Sequence, residues 1–287
     1  MTPFFSIIIP VCNSGLSLQK TIDSISTQTF KNYEVVFIDG VSSDNTLQII
    51  SAFDHTNDAQ PIKLKSEYDK GIYDAMNKGI DLATGKWLYF LGSDDIFYSD
   101  SVLTEIYYEI KKENSDLIYG NVSGVTSKTK YVYDTLSKVL STGIHHQSIF
   151  YKSSLLNQLG KYDLKFKIAA DYHLTLKVFL NKAYIKRYVN KDIAYYGEDG
   201  FSSKNYDYPF FSSHYKILAN QGGIEKIGNP KECLDKSIYC CFYLAKEKKK
   251  LRIAWSNLLY YVTHSNGETL HFRVKTLLRM LIWSFKT

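Results

Sequence analysis

Cysteine is scarce: four residues in 287, Cys12, Cys233, Cys240 and Cys241. None has paired metal-ligand spacing, two are adjacent, and Cys12 follows the first apolar run. That excludes a cysteine-built metal site and predicts free thiols in a reducing cytosol. The opening Met-Thr-Pro-Phe-Phe has neither a basic region nor a small-residue cleavage site, so no secretory signal is expected. No repeat or low-complexity tract is present. No glycine-rich dinucleotide fingerprint follows the first apolar run, which argues against a dehydrogenase. A nucleotidyltransferase would carry a glycine-rich basic loop there, and Pro10-Val11-Cys12-Asn13-Ser14 lacks one.

What is present is apolar and aromatic. Hydrophobic residues make up 45% and aromatic residues 15%, with 24 Tyr, enough for one large core and many rings at half-wet cleft walls. The net charge of +6 is concentrated at the end. From Lys246 onward nine Lys and Arg stand against Glu247 and Glu268, while the body is near neutral. A basic tail points to an anionic surface, membrane or nucleic acid. No nucleic-acid motif accompanies it, so no nucleic acid is expected.

The chain turns on residues 86–95, Lys-Trp-Leu-Tyr-Phe-Leu-Gly-Ser-Asp-Asp. An apolar run of strand length reads as a strand buried on both faces, ending in Asp94 and Asp95. Open parallel sheets bind ligands at the carboxyl ends of their strands, and paired acids there suit a cation. They would equally cap a turn. Before this, strands are expected at 4–10, 33–38 and 62–64, with helices beginning near Leu18, after Ser42-Ser43-Asp44 and at Ile72. The β-α-β alternation predicts a Rossmann-like, mostly parallel sheet flanked by helices. Further on, 102–112 and 169–179 read as helices, and 117–119, 147–151 and 185–196 as extended. A polar loop follows at 198–204.

These segments resemble family 2 glycosyltransferases of the GT-A fold. The resemblance runs through Ser6-Ile7-Ile8-Ile9-Pro10-Val11-Cys12-Asn13 and Ile38-Asp39-Gly40-Val41-Ser42-Ser43-Asp44. It continues through Asp69-Lys70-Gly71-Ile72-Tyr73-Asp74-Ala75-Met76-Asn77 and residues 85–95. It covers about the first two hundred residues, so a GT-A domain over 1–205 and a C-terminal helical, basic region over 206–287 are expected.

The resemblance implies a nucleotide-sugar donor, most often UDP-linked. Pro10, Val11, Cys12, Asp39, Lys70, Gly71, Asn77, Ser93 and Asp94 would lie around it. Asp94, matching the second acid of the family's DXD motif, would hold Mg2+ or Mn2+ with help from Asp95. Gly92 replaces the first acid of that motif and Gly40 the acid that often follows Asp39. Asp171 matches the inverting catalytic base, though an aspartate at a helix start also suits the helix dipole. His146 would meet acceptor or diphosphate, or be a buried structural histidine; Lys204 would close over the donor, or be a surface lysine.

The expected reaction is sugar transfer to a polyprenyl-diphosphate-linked acceptor in bacterial surface-polysaccharide synthesis, at the inner face of the cell membrane. A non-catalytic nucleotide-sugar-binding protein is the alternative. The last segment, 270–286, places Leu270, Val274, Leu277, Leu278, Leu281, Ile282 and Phe285 on one side. Arg273, Lys275, Arg279 and Lys286 lie opposite. It fits a membrane-surface helix, or one packed on its own chain or on a second subunit in a homodimer.

Overall fold

The computed structural model describes residues 2–56, 60–200, 203, 205–247, 250–264 and 269–285. Strand β1 (Phe5–Val11) is buried along its whole length, as its Ile-Ile-Ile run requires. It pairs in parallel with β2 (Tyr33–Asp39) on one side and β4 (Trp87–Phe90) on the other. Half-buried β3 (Ile62–Ser66) adds in parallel outside β2. Val11 stands opposite Asp39, so the ends of β1 and β2 are level where the chain turns.

Beyond β4 the sheet changes character. β8 (Ile149–Lys152) runs antiparallel between β4 and β6 (Leu117–Gly124). β6 pairs in parallel with the long β9 (Lys186–Tyr196) and antiparallel with the two-residue β7 (Lys130–Tyr131). The two-residue β5 (Ile96–Phe97) closes the series on β9, giving the order β3-β2-β1-β4-β8-β6-β9-β5. The expected parallel sheet is therefore its first half; a mixed half completes it, antiparallel except for the β6–β9 ladder.

Alternate residues of the strands feed two cores. Ile7, Ile9, Phe37 and Tyr89 pack with α1 (Leu18–Ser26), α2 (Thr46–Thr56) and α4 (Val102–Lys112). Ile8, Val36, Ile38 and Phe90 pack with α3 (Ile72–Leu82), α5 (Leu136–Thr142), α6 (Ser153–Leu159) and α7 (Ala170–Leu180). α8 (Tyr208–Asn220) sends Phe210 and Leu218 into this second core.

α9 (Pro230–Lys246), α10 (Leu251–His264) and α11 (Leu270–Phe285) form a third cluster around Cys241, Leu258, Tyr261 and Met280. α11 meets it through Thr276 and Met280, both buried, and through half-buried Phe272, Leu277 and Trp283. Its expected apolar side is thereby divided: Leu277 packs, whereas Val274, Leu278, Leu281 and Ile282 remain exposed. Among the described residues no helix is long and apolar enough to cross a membrane.

Candidate active site

Just past the end of β4, the Leu91 amide donates to Ile8 O at 3.0 Å, and Gly92-Ser93 then turns the chain. The two acids that follow part company. Asp95 points inward and is buried. Its Oδ2 accepts from the Gly92 amide and from Gln147 Nε2, each at 2.7 Å, and its Oδ1 accepts from the Gly197 amide at 2.8 Å. Its carbonyl accepts from Thr21 Oγ1 on α1 at 2.8 Å. Asp95, expected to help Asp94 at the metal, lines the same cavity as Asp94 and also cross-links the β4 exit, the turn before β8 and the end of β9.

Asp94 faces a cavity of about 780 Å3, within the range typical of small-ligand clefts. Burial by the surrounding walls, and then the charge of Asp95, push its carboxyl above the ordinary carboxylate range. His146 opposes that rise. Asp94 lies so close to Gly197 that a Cβ there would come within 2.1 Å of Asp94 Oδ2. Gly197 therefore makes room for one acid and donates its amide to the other.

The strand exits of β1 and β2 lie behind Ser93. The Cys12 amide donates to Ser14 Oγ at 3.3 Å, and Ser14 Oγ donates to Ser93 Oγ at 2.8 Å. Buried Asp39 accepts from the Ser42 amide at 3.2 Å and from Ser66 Oγ at 2.6 Å. The exposed Cys12 thiol contacts Gly40 O at 3.7 Å. Pro10, Val11, Cys12, Asp39 and Ser93 thus form a linked wall beside the cavity rather than its lining. Lys70 and Gly71 do line it. Gly71, at φ 119°, opens α3 and donates its amide to Asp69 Oδ1 at 2.8 Å.

Opposite stands the first turn of α7, with Asp171 on the lining. Its Oδ1 accepts from the Tyr172 amide at 2.7 Å and from the Tyr73 hydroxyl at 2.9 Å. Its Oδ2 faces His146 Nδ1 at 3.6 Å. His146 Nε2 is buried with no hydrogen-bond partner among the described residues. Next to it His145 packs against Tyr196 at 4.5 Å between ring centroids, and burial lowers its pKa to about 4.

The entry to α7 is held from afar. Asp207 Oδ2 accepts from the Ile168 amide at 2.9 Å and the Ala169 amide at 3.2 Å, while Oδ1 caps α8 through the Phe210 amide at 3.1 Å. Asn77, expected near the nucleotide, makes a two-way bond with the Tyr162 backbone, 2.9 Å in each direction, and is absent from the lining. Lys204 lies outside the described residues.

One cavity therefore gathers Lys70, Gly71, Asp94, His146 and Asp171. Tyr73, Gln147, Gly197 and Asp207 were not singled out from the sequence. Tyr73 sits within the segment that drew attention to Lys70 and Gly71, but nothing in a single sequence joins it to Asp171, 98 positions on.

A sheet that is parallel through β3-β2-β1-β4 and mixed beyond, with an acid past its pivotal strand and the cavity over that edge, is the GT-A fold of sugar transferases. Solved structures bear out that architecture. Staphylococcus aureus TarS 1–349 in complex with UDP-GlcNAc matches with a TM-score of 0.63, 19% identity, and 98% of this chain and 81% of that chain covered. The mannosyltransferase PcManGT from Pyrobaculum calidifontis, in complex with GDP-Man and Mn2+, matches with a TM-score of 0.55 and 18% identity. That match covers 99% of this chain and 86% of the other.

The family model described as glycosyl transferase family 2 matches residues 6–187, and this chain belongs to that family. A PGL/p-HBAD biosynthesis glycosyltransferase of Mycobacterium bovis is 38% identical over 201 residues, spanning 69% of this chain and 78% of the relative. The protein is a glycosyltransferase.

Proposed function

We propose that this enzyme transfers a sugar, with inversion, from a nucleotide-sugar donor to a hydroxyl of a lipid-diphosphate-linked saccharide in bacterial polysaccharide synthesis. The observation that carries the reading is that Asp94 and Asp171 line one cavity with His146 acting electrostatically on both. Asp171 Oδ2 receives the proton of the attacking hydroxyl, because Oδ1 is already occupied by two donors. His146 Nε2, buried and unpartnered among the described residues, is a polar atom for acceptor or diphosphate.

The donor is most simply UDP-linked. It lies along the wall from Cys12 and Asp39 to Ser93, with Lys70 beside its phosphates. Asp94 fits a hard divalent ion, Mn2+ or Mg2+, since such ions take one or two carboxylates and complete their shell with phosphate and water. Bound there, the ion neutralises charge on the departing diphosphate. Among the described residues no group of three or more His, Cys, Asp or Glu side chains forms a self-sufficient metal site, so the donor's phosphates must supply ligands.

The enzyme works at the cytoplasmic face of the membrane. Val274, Leu278, Leu281 and Ile282 on α11 are exposed beside Lys275 and Arg279, a pairing of apolar area and positive charge that suits an anionic lipid surface.

The test is a panel of nucleotide sugars with a synthetic polyprenyl-diphosphate-linked acceptor. Asp171→Asn should lose about two to four orders of magnitude in turnover, the effect of removing a general base, with donor binding little changed. Asp94→Ala should lose Mn2+-enhanced UDP binding. Full activity in EDTA together with an active Asp94→Ala would refute the metal assignment. Replacing exposed Leu278 and Ile282 with Ser should weaken sedimentation with anionic vesicles more than tenfold, since each buried aliphatic side chain contributes about 1.5–3 kcal/mol.

A further inference from the structure

Tyr73 is buried on α3, its hydroxyl oxygen 2.6 Å from Ile168 O and 2.9 Å from Asp171 Oδ1. A single O–H proton therefore has two acceptors on the segment that leads into α7. The Tyr172 amide adds a second donor to Oδ1 at 2.7 Å, whereas among the described residues Oδ2 has only His146 Nδ1 at 3.6 Å, beyond hydrogen-bond length. The carboxylate is thus fixed by one oxygen and open at the other.

We propose that Tyr73 is a positioning residue for sugar transfer. It pins Oδ1 so that Oδ2 faces the acceptor hydroxyl, and it shifts its hydrogen bond to Ile168 O once Asp171 has been neutralised. This rests on Asp171 being the base, as proposed above.

During transfer the acceptor oxygen bonds to the donor's anomeric carbon. The bond from that carbon to the diphosphate oxygen breaks, its electron pair leaves with the diphosphate, and the hydroxyl proton passes to Oδ2. Tyr73 keeps its own proton throughout. Burial, and then the Asp171 charge, hold its pKa well above the ordinary tyrosine value.

Before transfer, the hydrogen bond to a full carboxylate is charge-assisted and favours Oδ1. Afterwards Oδ1 belongs to a neutral acid, and the closer carbonyl of Ile168 becomes the better partner. The hydroxyl thus stabilises the charged base and follows its neutralisation without a large movement.

The other titratable groups that feel the Asp171 charge are His145 from the turn before β8, Tyr151 from β8, and Tyr133 and Tyr162 from the flanking loops, and His146 Nδ1 faces its Oδ2. Asp207 acts on Tyr73 itself. All of these stay in place when only the Tyr73 hydroxyl is removed, so a changed pH profile reports on that hydroxyl.

The experiment is a double-mutant cycle on the full chain. Tyr73→Phe should lower kcat about 10- to 100-fold, the effect expected from losing one hydrogen bond to a charged group, with the donor Kd within about twofold. The acidic limb of kcat/KM should move toward higher pH, because a donor favouring the charged form is gone. In an Asp171→Asn background the same change should alter the residual rate by less than about twofold. Replacing Tyr73 with 3-fluorotyrosine, which keeps the hydroxyl and makes it a stronger donor, should move the limb toward lower pH. That variant keeps the inference testable if Tyr73→Phe does not fold.

Equal losses in both backgrounds with an unmoved limb overturn the positioning role alone. A wild type inactive with every donor, or an Asp171→Asn variant that keeps its rate, overturns the proposed function as well.

Discussion

Gly92→Ala adds one methyl group at a crowded point of the site. A Cβ on residue 92 would lie 2.5 Å from Asp95 Oδ2 and 3.1 Å from Asp94 Oδ1. Asp95 Oδ2 cannot retreat freely, because the Gly92 amide and Gln147 Nε2 hold it at 2.7 Å and the Gly197 amide holds the other oxygen at 2.8 Å. Relief must lengthen or break at least one charge-assisted bond, worth about 1.5–3 kcal/mol. Overpacking adds about 1–3 kcal/mol. The expected destabilisation is therefore about 2.5–6 kcal/mol, a large part of the roughly 5–15 kcal/mol that holds a domain folded. Urea denaturation at pH 7 reads this as a lowered midpoint with an unchanged slope. Calorimetric titration with UDP and Mn2+ should show weaker binding, since any shift of Asp95 disturbs Asp94 and Gly197. The same crowding predicts that Gly92→Asp, which restores the acid of the family's motif, loses stability and gains no metal affinity. A Gly92→Ala protein within about 0.5 kcal/mol of wild type, as for an ordinary surface substitution, would refute the reasoning.

Two further outcomes follow from groups already described. Asn77→Ala removes both bonds to the Tyr162 backbone, leaving a donor and an acceptor without partners; it should cost about 2–3 kcal/mol in urea denaturation, and a loss under about 0.5 kcal/mol would contradict this. The raised pKa of Asp94 means that the folded protein keeps this proton to higher pH than the unfolded chain. Its stabilising contribution is present below the ordinary carboxylate pKa and is lost as pH rises through the folded value. Without metal, Asp94→Asn should therefore have a Tm that gains on wild type between pH 4 and 7, and saturating Mn2+ with UDP should reverse the order; a wild type more stable at pH 7 in EDTA would contradict the sign.

The parallel half of the sheet was legible because β1, β2 and β4 are apolar runs, and helices with a buried face follow β1 and β3. β1, β2 and α4 fall within a residue of where composition places them. The mixed half was not. β6 was read only as 117–119, but it continues through Gly120 and Asn121, where the pairing register shifts, to Gly124. β5 and β7 are two residues each, too short to leave a pattern. In the site, Asp94 and Asp171 were visible as motif positions, and the structure brings both to one cavity. Asp95, which the sequence left as a metal helper or a turn former, and Asn77, placed near the nucleotide by resemblance, both have polar atoms that bond to protein. Those bonds depend on Gln147, Gly197 and Tyr162, which no local spacing connects to either residue.

Asp207 has a consequence for how such enzymes can be recombined. It lies beyond residue 187, where the family match ends, yet its carboxylate holds the two amides that set the start of α7. The helices beyond the family match are therefore not an interchangeable cassette. A chimera joined near residue 205 would import a foreign residue into the anchor of its own base helix. It would function only if the incoming segment supplied a carboxylate at the same reach. A junction after α8 leaves that anchor intact, and this is where shuffling between relatives could exchange the last three helices without disturbing the entry to α7.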